Sequence, residues 1–418
     1  MEKQSDKQKK GFSTRIINTQ YAKPDVYGAI AFPIYKNAAF EYEDSETIAA
    51  AFQYRTDLHT YSRVSNPTVQ HLEAKIKAAS GAENVMALAS GMAAISNTFL
   101  TLAYAGSNIV ASPHLFGNTF SFLQYTLPSF GVEIRFVNTD RIDEIIAAID
   151  ENTCAFFCEL ITNPHIEIAN LPEISGVLKA KNVPMIIDTT VIPWCGINRE
   201  KCGIDIEVVS TTKYISGGAT GIGGAIVDYG TFDWTGNHRL RKVPKPNGMS
   251  QFTFKLRSEI ARNIGAVMAP DTAYQQALGM ETLQLRYEKM SATAYRLAQY
   301  LSQHPGVAKV NYPELPQSPY KKISDNIFSG HPGAMFTIDL DSKESCYSFM
   351  DKLQVIRRAT NLFDNKTLAI HPESTIYGTF MPEMKKLIGI EPTLIRFSVG
   401  LEDFEDLKAD VDVALAGL

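Results

Sequence analysis

Cysteine is scarce in this sequence, and its spacing indicates neither a disulfide framework nor a metal site. The 418 residues include five cysteines, an odd number without regular spacing. Cys154 and Cys158 fall within an apolar, strand-like stretch, where cysteine behaves as a small hydrophobic residue. We therefore expect no metal and no disulfide-stabilised secreted fold, and a reducing, cytoplasmic location fits.

A strong charge of one sign and a long apolar run are also lacking. The formal net charge is −5, so the sequence shows no basic surface of the kind that binds nucleic acid or anionic membranes. No apolar run approaches the roughly 20 residues that cross a bilayer. The first ten residues are polar, without the apolar core of a signal peptide. We expect neither a nucleic-acid nor a membrane partner.

The most informative stretch is a β-branched segment that ends in hydroxyl residues, one lysine and two glycines. It reads Val208-Val209-Ser210-Thr211-Thr212-Lys213-Tyr214-Ile215-Ser216-Gly217-Gly218. Ser210 and Thr212 are two residues apart, so in an extended chain their hydroxyls face the same side. Two hydroxyls beside an amine suit a phosphate next to an aldehyde-derived group, with which Lys213 would form a Schiff base. A surface lysine in a polar turn is an equally good interpretation of the stretch alone.

Apolar strands alternate with amphipathic segments of helix length, which predicts a mainly parallel sheet with helices on both faces. The predicted strands are Val85–Ala89, Asn108–Ala111, Val132–Val137, Thr153–Cys158, Pro184–Asp188, Ile206–Ser210 and Gly224–Val227. Ligands of such sheets bind at the carboxyl ends of the strands. Asp188 ends one strand and Lys213 follows the next, so we expect both at the same rim. An N-cap or turn role is the alternative for Asp188.

Two predicted helix starts have the features of an anion site. Ser90-Gly91-Met92 lies between a strand and a helix, where free backbone N–H groups and the helix dipole face a ligand. Asn66 as N-cap and Pro67 at the first helical position begin a second helix, and Tyr61 and Arg63 precede it. Taken alone, the first pattern is also a common tight turn, and the second is also common on surfaces.

These motifs, in this order, resemble the Cys/Met-metabolism enzymes that depend on pyridoxal phosphate (PLP). That family includes cystathionine synthases and lyases, methionine γ-lyase and O-acetylhomoserine sulfhydrylase. The resemblance extends from about Tyr61 to Asp403 and includes the Lys213 stretch, Glu159–Pro164 and an Arg-x-Ser-x-Gly-x-Glu motif that begins at Arg396.

The resemblance implies an α/β fold of PLP fold type I, like that of aspartate aminotransferase, with a mainly parallel seven-stranded sheet and a smaller α+β C-terminal domain. The implied domains are an irregular N-terminal arm that contacts the neighbouring subunit (1–65), a PLP-binding domain (66–263) and a connecting long helix with the C-terminal domain (264–418). Within them, we expect a polar connector at 229–262 and the long helix at about 264–303.

The resemblance also implies a role for each matched residue. Lys213 carries the cofactor as a Schiff base, Asp188 pairs with its pyridine nitrogen, and Asn163, supported by Glu159, contacts the cofactor and the substrate. Arg396 binds the substrate carboxylate. The other implied contacts are Ser90, Gly91, Met92, Ser210 and Thr212 to the phosphate, Phe116 stacked on the ring, Asn361 near the substrate carboxylate, and Tyr61 and Arg63 reaching the phosphate of a neighbouring subunit. The last two imply a homodimer or homotetramer with composite active sites.

Four positions depart from the family pattern. Phe116 replaces a usual tyrosine that stacks on the cofactor and can protonate the leaving group; without a hydroxyl, it suits acetate, which is stable as an anion. Asn118 stands where methionine γ-lyases have a cysteine. Thr189 and Asn361 replace a usual asparagine and a usual serine.

The chain looks most like the sulfhydrylases. This implies γ-replacement, in which O-acetyl-L-homoserine and sulfide or a small thiol give L-homocysteine or its thioether and acetate. One alternative is a γ-elimination lyase on methionine, cystathionine or homocysteine that releases 2-oxobutyrate and ammonia, and the other is an inactive family member that serves as a binding subunit. We also expect nearby cationic groups to lower the pKa of Lys213, since its amine must be partly neutral to carry protons.

Overall fold

The structure, a computed structural model, describes residues 10–19, 25, 27–246 and 248–416. The seven predicted strands form one sheet in the order β1-β7-β6-β5-β4-β2-β3. They are Asn84–Leu88 (β1), Asn108–Ala111 (β2), Glu133–Phe136 (β3), Thr153–Glu159 (β4), Met185–Asp188 (β5), Ile206–Val209 (β6) and Gly224–Asp228 (β7). Only β7 is antiparallel to its neighbours. The predicted mainly parallel sheet is therefore confirmed.

Successive residues of the central strands point into two different cores. Phe156 and Ile187 belong to one buried cluster, and Phe157 and Ile186 belong to the other. Both faces of the sheet are therefore covered, which explains why these strands are continuously apolar and do not alternate with polar residues.

Helices cover the sheet and connect its strands. Their bounds are Phe12–Ile17 (α1), Ser45–Phe52 (α2), Pro67–Ser80 (α3), Gly91–Leu102 (α4), Gly117–Ser121 (α5), Ile142–Ala148 (α6), Leu171–Ala180 (α7), Arg199–Cys202 (α8), Gln251–Lys255 (α9), Arg262–Ile264 (α10), Pro270–Glu281 (α11), Leu283–Leu301 (α12), Lys321–Ile327 (α13), Lys343–Lys352 (α14), Pro382–Leu387 (α15) and Phe404–Leu415 (α16). No helix in the described ranges is long and apolar enough to cross a membrane. Of the polar N-terminus, residues 1–9 lie outside the described residues.

The expected polar connector at 229–262 is partly wrong, because its second half is helical. A π-helical segment, Leu256–Ala261, joins α9 to α10. Ser250 caps α9 by accepting a hydrogen bond from the backbone N–H of Thr253 at 3.0 Å. Phe252 and Leu256 are buried in the second core, and their four-residue spacing places them on one helix face.

The expected long helix is two helices, α11 and α12, which meet at Thr282. Gly265 has φ +74°, a conformation that favours glycine, and separates α10 from α11. Leu283 and Leu297 are buried as an amphipathic helix requires, whereas Leu278 and Leu285 are exposed.

A second, smaller sheet follows α12. Its strands are Lys309–Asn311 (β8), Met335–Asp339 (β9), Arg357–Arg358 (β10), Leu368–Ile370 (β11) and Leu394–Ser398 (β12). Their order is β10-β11-β12-β9-β8, and every pairing except β10 with β11 is antiparallel. With α14 packed on β12 and α16 packed on α14, this unit matches the expected α+β architecture.

Candidate active site

The candidate site lies at the carboxyl ends of the central strands. Asp188 is the last residue of β5 and is paired in register with Glu159 of β4 and Val208 of β6. Lys213 follows β6 after a turn in which its N–H donates to the carbonyl of Ser210 at 3.2 Å. The predicted common rim for Asp188 and Lys213 therefore holds. The extended conformation expected for Ser210 and Thr212 is wrong, because β6 ends at Val209 and the chain turns there.

The amine of Lys213 lies in a largely buried environment, and its Nζ donates to Oδ1 of Asn361 at 2.7 Å. The pKa of Lys213 is lowered to about 8, mainly by burial and to a smaller extent by the charge of Arg396, whereas the carboxylate of Asp188 acts to raise it. The expected lowering of this pKa therefore agrees with the structure, but burial and not a cationic neighbour is its main cause.

Arg396 is a buried guanidinium that has no anionic partner in the described part of the chain. Its side chain is on β12 and only 2% exposed. Nη1 donates to Oδ1 of Asn163 at 2.9 Å, and Nη2 donates to the carbonyls of Thr360 and Asn361, both at 3.3 Å. Its Nε is buried without a partner, and no carboxylate among the described residues forms an ion pair with it. Burial lowers the pKa of Arg396 to about 10. Such a group suits an incoming carboxylate.

Glu159 organises two of the predicted ligands. One carboxylate oxygen accepts from the backbone N–H of Phe116 at 2.5 Å, and the other accepts from that of Asn163 at 3.2 Å. The contact with Asn163 was predicted, whereas the contact with Phe116 was not. Burial and the nearby charge of Asp188 raise the pKa of Glu159, and the two N–H donors oppose this rise. The carboxyl group therefore fixes the backbone on both sides of the site.

The carboxyl group of Asp188 is held in place by the chain that follows it. Its Oδ1 accepts from the backbone N–H of Thr190 at 2.9 Å. Burial raises the pKa of Asp188, whereas hydrogen bonds from Thr190 and the charge of Lys213 lower it. Thr189, one of the departures from the family pattern, donates to the buried carboxylate of Glu207, which also accepts from Trp194 Nε1 at 3.0 Å. Thr189 therefore anchors the chain beside Asp188.

The start of α4 and the turn after β6 together form a glycine-lined cradle. Ser90 is the N-cap of α4, where its Oγ accepts from the N–H of Ala93 at 3.0 Å. A Cβ on Gly91 would lie 2.8 Å from Cβ of Ser210. Thr212 Oγ1 accepts from the N–H of Gly223 at 3.0 Å. Backbone N–H groups at a helix start beside two hydroxyl residues fit a phosphate, so the expected Ser90, Gly91, Ser210 and Thr212 are brought together.

Gly91→Ala should weaken the binding of PLP by roughly tenfold or more, because the new methyl group separates α4 from Ser210; overpacking of this kind costs about 1–3 kcal/mol. Gly176→Ala is the matched control. It lies within α7 with nothing within 4 Å of an added Cβ, so it should stabilise the protein by about 1 kcal/mol and leave PLP affinity unchanged. PLP titration and urea unfolding measure both effects. Wild-type PLP affinity in Gly91→Ala would contradict the assignment.

Met92 and Phe116 flank this region. Sδ of Met92 accepts from the hydroxyl of Thr119 at 3.7 Å, and the side chain packs against the second core. Phe116 is the N-cap of α5 and is 38% exposed, so its ring is available to stack on a ligand. That the ring of a bound cofactor stacks on Phe116 stays a prediction.

Tyr61 and Arg63 are not brought to the Lys213 amine within this chain. Tyr61 is 44% exposed, and the guanidinium of Arg63 lies 5.6 Å from its ring and donates to the carbonyl of Arg262. Arg63 lines a separate cleft of about 360 Å³ that contains none of Asp188, Lys213 and Arg396. Their expected role at a neighbouring subunit's phosphate stays a prediction.

Two further residues of the site make contacts that no sequence motif predicts. The side chain of Asn361 accepts a hydrogen bond from the Lys213 amine, whereas the sequence predicts a role for this position only near the substrate carboxylate. Tyr377 is buried, and its hydroxyl lies 3.2 Å from the carbonyl of Asn163 and 3.5 Å from that of Leu115. No local pattern marks Tyr377, because its partners lie more than 200 residues away in the sequence.

Comparison with known proteins agrees with this geometry. The profile of the Cys/Met metabolism PLP-dependent enzyme family matches residues 13–416. O-acetyl-L-homoserine sulfhydrylase 1 from Thermus thermophilus is 37% identical, with 97% of this chain and 100% of that protein covered. The O-acetylhomoserine sulfhydrylase of Wolinella succinogenes is 42% identical and has a TM-score of 0.76, with 84% of this chain and 98% of that chain covered.

A third similarity concerns the cofactor. A Campylobacter jejuni protein described as an O-acetylhomoserine (thiol)-lyase has a TM-score of 0.91 and is 31% identical, with 97% of this chain and 100% of that chain covered. Its structure contains N'-pyridoxyl-lysine-5'-monophosphate. The buried lysine, the glycine-lined cradle and the unpartnered Arg396 Nε of the present chain fit the same cofactor and an amino-acid substrate. The chain therefore belongs to the Cys/Met-metabolism family of PLP-dependent enzymes and has their fold-type I architecture.

Proposed function

We propose that this protein catalyses γ-replacement on O-acetyl-L-homoserine, with sulfide or a small thiol as the second substrate and L-homocysteine or its thioether and acetate as products. The observation that carries the proposal is Arg396, whose buried charge pairs with no carboxylate of the described chain while its Nη1 binds Asn163. A substrate α-carboxylate supplies the missing anion. The names of the similar Thermus and Wolinella proteins support this substrate class.

Each residue of the site has a distinct task in this reaction. PLP, when bound, draws electron density from the substrate α-carbon. Arg396 and Asn163 orient the substrate carboxylate, and Asp188 supplies a negative charge at the rim that suits the protonated pyridine nitrogen. Lys213 Nζ, with a pKa near 8, accepts the α-proton in its neutral form and returns it as an ammonium group.

Phe116 favours acetate as the leaving group. It presents a ring without a hydroxyl to the site, so it cannot protonate a departing thiolate. Acetate needs no proton to leave, whereas a thiolate leaves more readily with one. Elimination from methionine or cystathionine is therefore disfavoured relative to replacement on the ester.

A product assay on the PLP-loaded protein tests the proposal. The protein would receive O-acetyl-L-homoserine with and without sulfide, and L-methionine in parallel, with homocysteine and 2-oxobutyrate quantified. We expect homocysteine only when the ester and sulfide are both present. Dominant 2-oxobutyrate from methionine would identify a lyase and contradict the interpretation of Phe116. Neither product from any substrate, with normal PLP binding, would indicate an inactive family member.

We further propose that the enzyme is a homodimer or homotetramer in which Tyr61 and Arg63 complete the phosphate site of the neighbouring subunit. The exposure of Tyr61, and the position of Arg63 in a cleft whose lining does not include Asp188, Lys213 or Arg396, support that arrangement. A cytoplasmic location is part of the proposal, since all five cysteines are free.

Complementation tests the composite site. Arg63→Ala should weaken PLP binding, and Lys213→Ala should be inactive. In a composite site Lys213 comes from one subunit and Arg63 from the other, so Lys213→Ala damages the site of its own subunit and Arg63→Ala damages the site of the neighbouring subunit. Co-expressed at limiting PLP, the two variants should regain about a quarter of wild-type activity, because half of randomly assembled dimers are mixed and each has one intact site. Wild type co-expressed with Lys213→Ala controls for assembly. Activity no higher than that of either variant alone would place Arg63 outside the neighbour's site.

A further inference from the structure

In the loop between β10 and β11, every second residue from 361 to 365 contacts the segment that carries Lys213. Oδ1 of Asn361 accepts from Lys213 Nζ at 2.7 Å. The ring of Phe363 stacks on that of Tyr214, with centroids 4.2 Å apart and an interplanar angle of 10°. Nδ2 of Asn365 donates to the carbonyl of Gly217 at 2.8 Å. Three residues of one strand-connecting loop therefore hold three points of the lysine segment.

The loop is itself anchored to the second sheet. The N–H of Phe363 donates to Oγ of Ser398 at 2.6 Å, and the N–H of Leu401 donates to the carbonyl of Asn365 at 2.9 Å. Phe363 has φ +55°, a conformation that is unfavourable for a bulky residue and persists only where surrounding contacts enforce it. The position of Asn361 is therefore set by the fold and does not depend on Lys213.

We propose that the Asn361 side chain is the positioning residue for the Lys213 amine, holding Nζ at the substrate side of the site whenever the lysine is not bonded to the cofactor. An amide oxygen accepts a hydrogen bond from an amine in its neutral and its charged form. One N–H of the amine is thereby directed to Oδ1, and the nitrogen lone pair is directed elsewhere. This inference rests on the proposed proton-carrying role of Lys213 and assigns the group that orients it.

The same residue connects the lysine to the arginine. The backbone carbonyl of Asn361 accepts from Nη2 of Arg396 at 3.3 Å, while its side chain accepts from Lys213. A substrate whose carboxylate binds Arg396 is thereby set at a fixed distance from the amine. A substitution at position 361 removes the side-chain contact with Lys213 but keeps the backbone carbonyl that accepts from Arg396. The effect of such a variant therefore reports on the contact with Lys213 alone.

The ionisation of Lys213 in the full-length apo-protein gives a readout that does not depend on turnover. Trace labelling with acetic anhydride across pH, with mass spectrometry of the Lys213 peptide, measures the pKa of this amine. In Asn361→Leu the acceptor that stabilises the ammonium form is lost, so the pKa should fall from about 8 by about one unit. In Asn361→Asp a carboxylate beside the amine should raise this pKa. Lys366→Gln, at an exposed position of the same loop, is the control and should leave it unchanged.

Kinetics on the PLP-loaded enzyme supply the second arm. Asn361→Leu should lower kcat by about 10- to 100-fold, with KM for the amino-acid substrate changed by less than about threefold. A rise in KM with unchanged kcat would instead make Asn361 a substrate-binding residue and overturn the inference. An unchanged Lys213 pKa in both the Leu and the Asp variants, each folded by circular dichroism, would also overturn it. Shifts of opposite sign would support the contact even if the product assay identified another reaction.

Discussion

Lys213→Ala is expected to reduce kcat for γ-replacement by at least about 10³-fold, because we propose that this amine both carries the cofactor and moves the α-proton. Its position after β6 and its lowered pKa suit both tasks. The absorbance of the PLP Schiff base should also disappear from the purified protein when no external amine is present. Homocysteine production and the absorbance spectrum measure the two effects.

Lys179→Ala is the control for this experiment. Lys179 is exposed on α7, so its removal should change neither kcat nor the spectrum. Partial recovery of Lys213→Ala by added methylamine would show that the missing group is an amine and that the site is otherwise intact. A Lys213→Ala protein that keeps its yellow Schiff-base absorbance in amine-free buffer would place the cofactor on another lysine.

Arg396→Met is expected to lower kcat/KM by roughly 100- to 1,000-fold, since loss of one partner of a buried charge pair typically costs about 2–5 kcal/mol. The free energy of unfolding should change far less. Arg396 forms no ion pair with a carboxylate of the described residues, so Arg396→Met leaves no buried carboxylate without its partner and removes only hydrogen bonds to neutral groups. Arg396→Met should therefore lower kcat/KM strongly while it changes the free energy of unfolding little. Steady-state kinetics and urea unfolding measure the two quantities.

A substrate analogue without the α-carboxylate tests directly whether Arg396 binds that group. The wild-type enzyme should discriminate strongly against the α-amide of O-acetyl-L-homoserine, which lacks the carboxylate, whereas Arg396→Met should discriminate little. Arg357→Met is the control, because Arg357 is exposed on β10 of the same sheet. Equal discrimination by wild type and Arg396→Met would mean that another group binds the carboxylate.

Much of the site could be predicted from short motifs because each is local. Asn66 and Ser90 cap helices by accepting hydrogen bonds from backbone N–H groups two or three residues further on, and such contacts depend on the local sequence only. The two expectations that were wrong, an extended Ser210–Thr212 segment and a polar connector up to residue 262, also have local causes. The Ser210–Thr212 expectation assumed that β6 continues, and the polar surface of residues 251–264 concealed the buried face of a helix.

The order of apolar strands and their polar ends determined, by sequence alone, that Asp188 and Lys213 share one rim, because parallel strands place their carboxyl ends on the same edge of a sheet. Only the tertiary structure decided what surrounds the amine. Asn361 is 148 residues from Lys213 and Asn163 is 233 residues from Arg396, and these contacts form only when the unit that contains the second sheet lies against the rim of the first sheet. The lowered pKa of Lys213 has the same origin, since burial in the assembled fold, and no neighbouring residue in the sequence, is its largest cause.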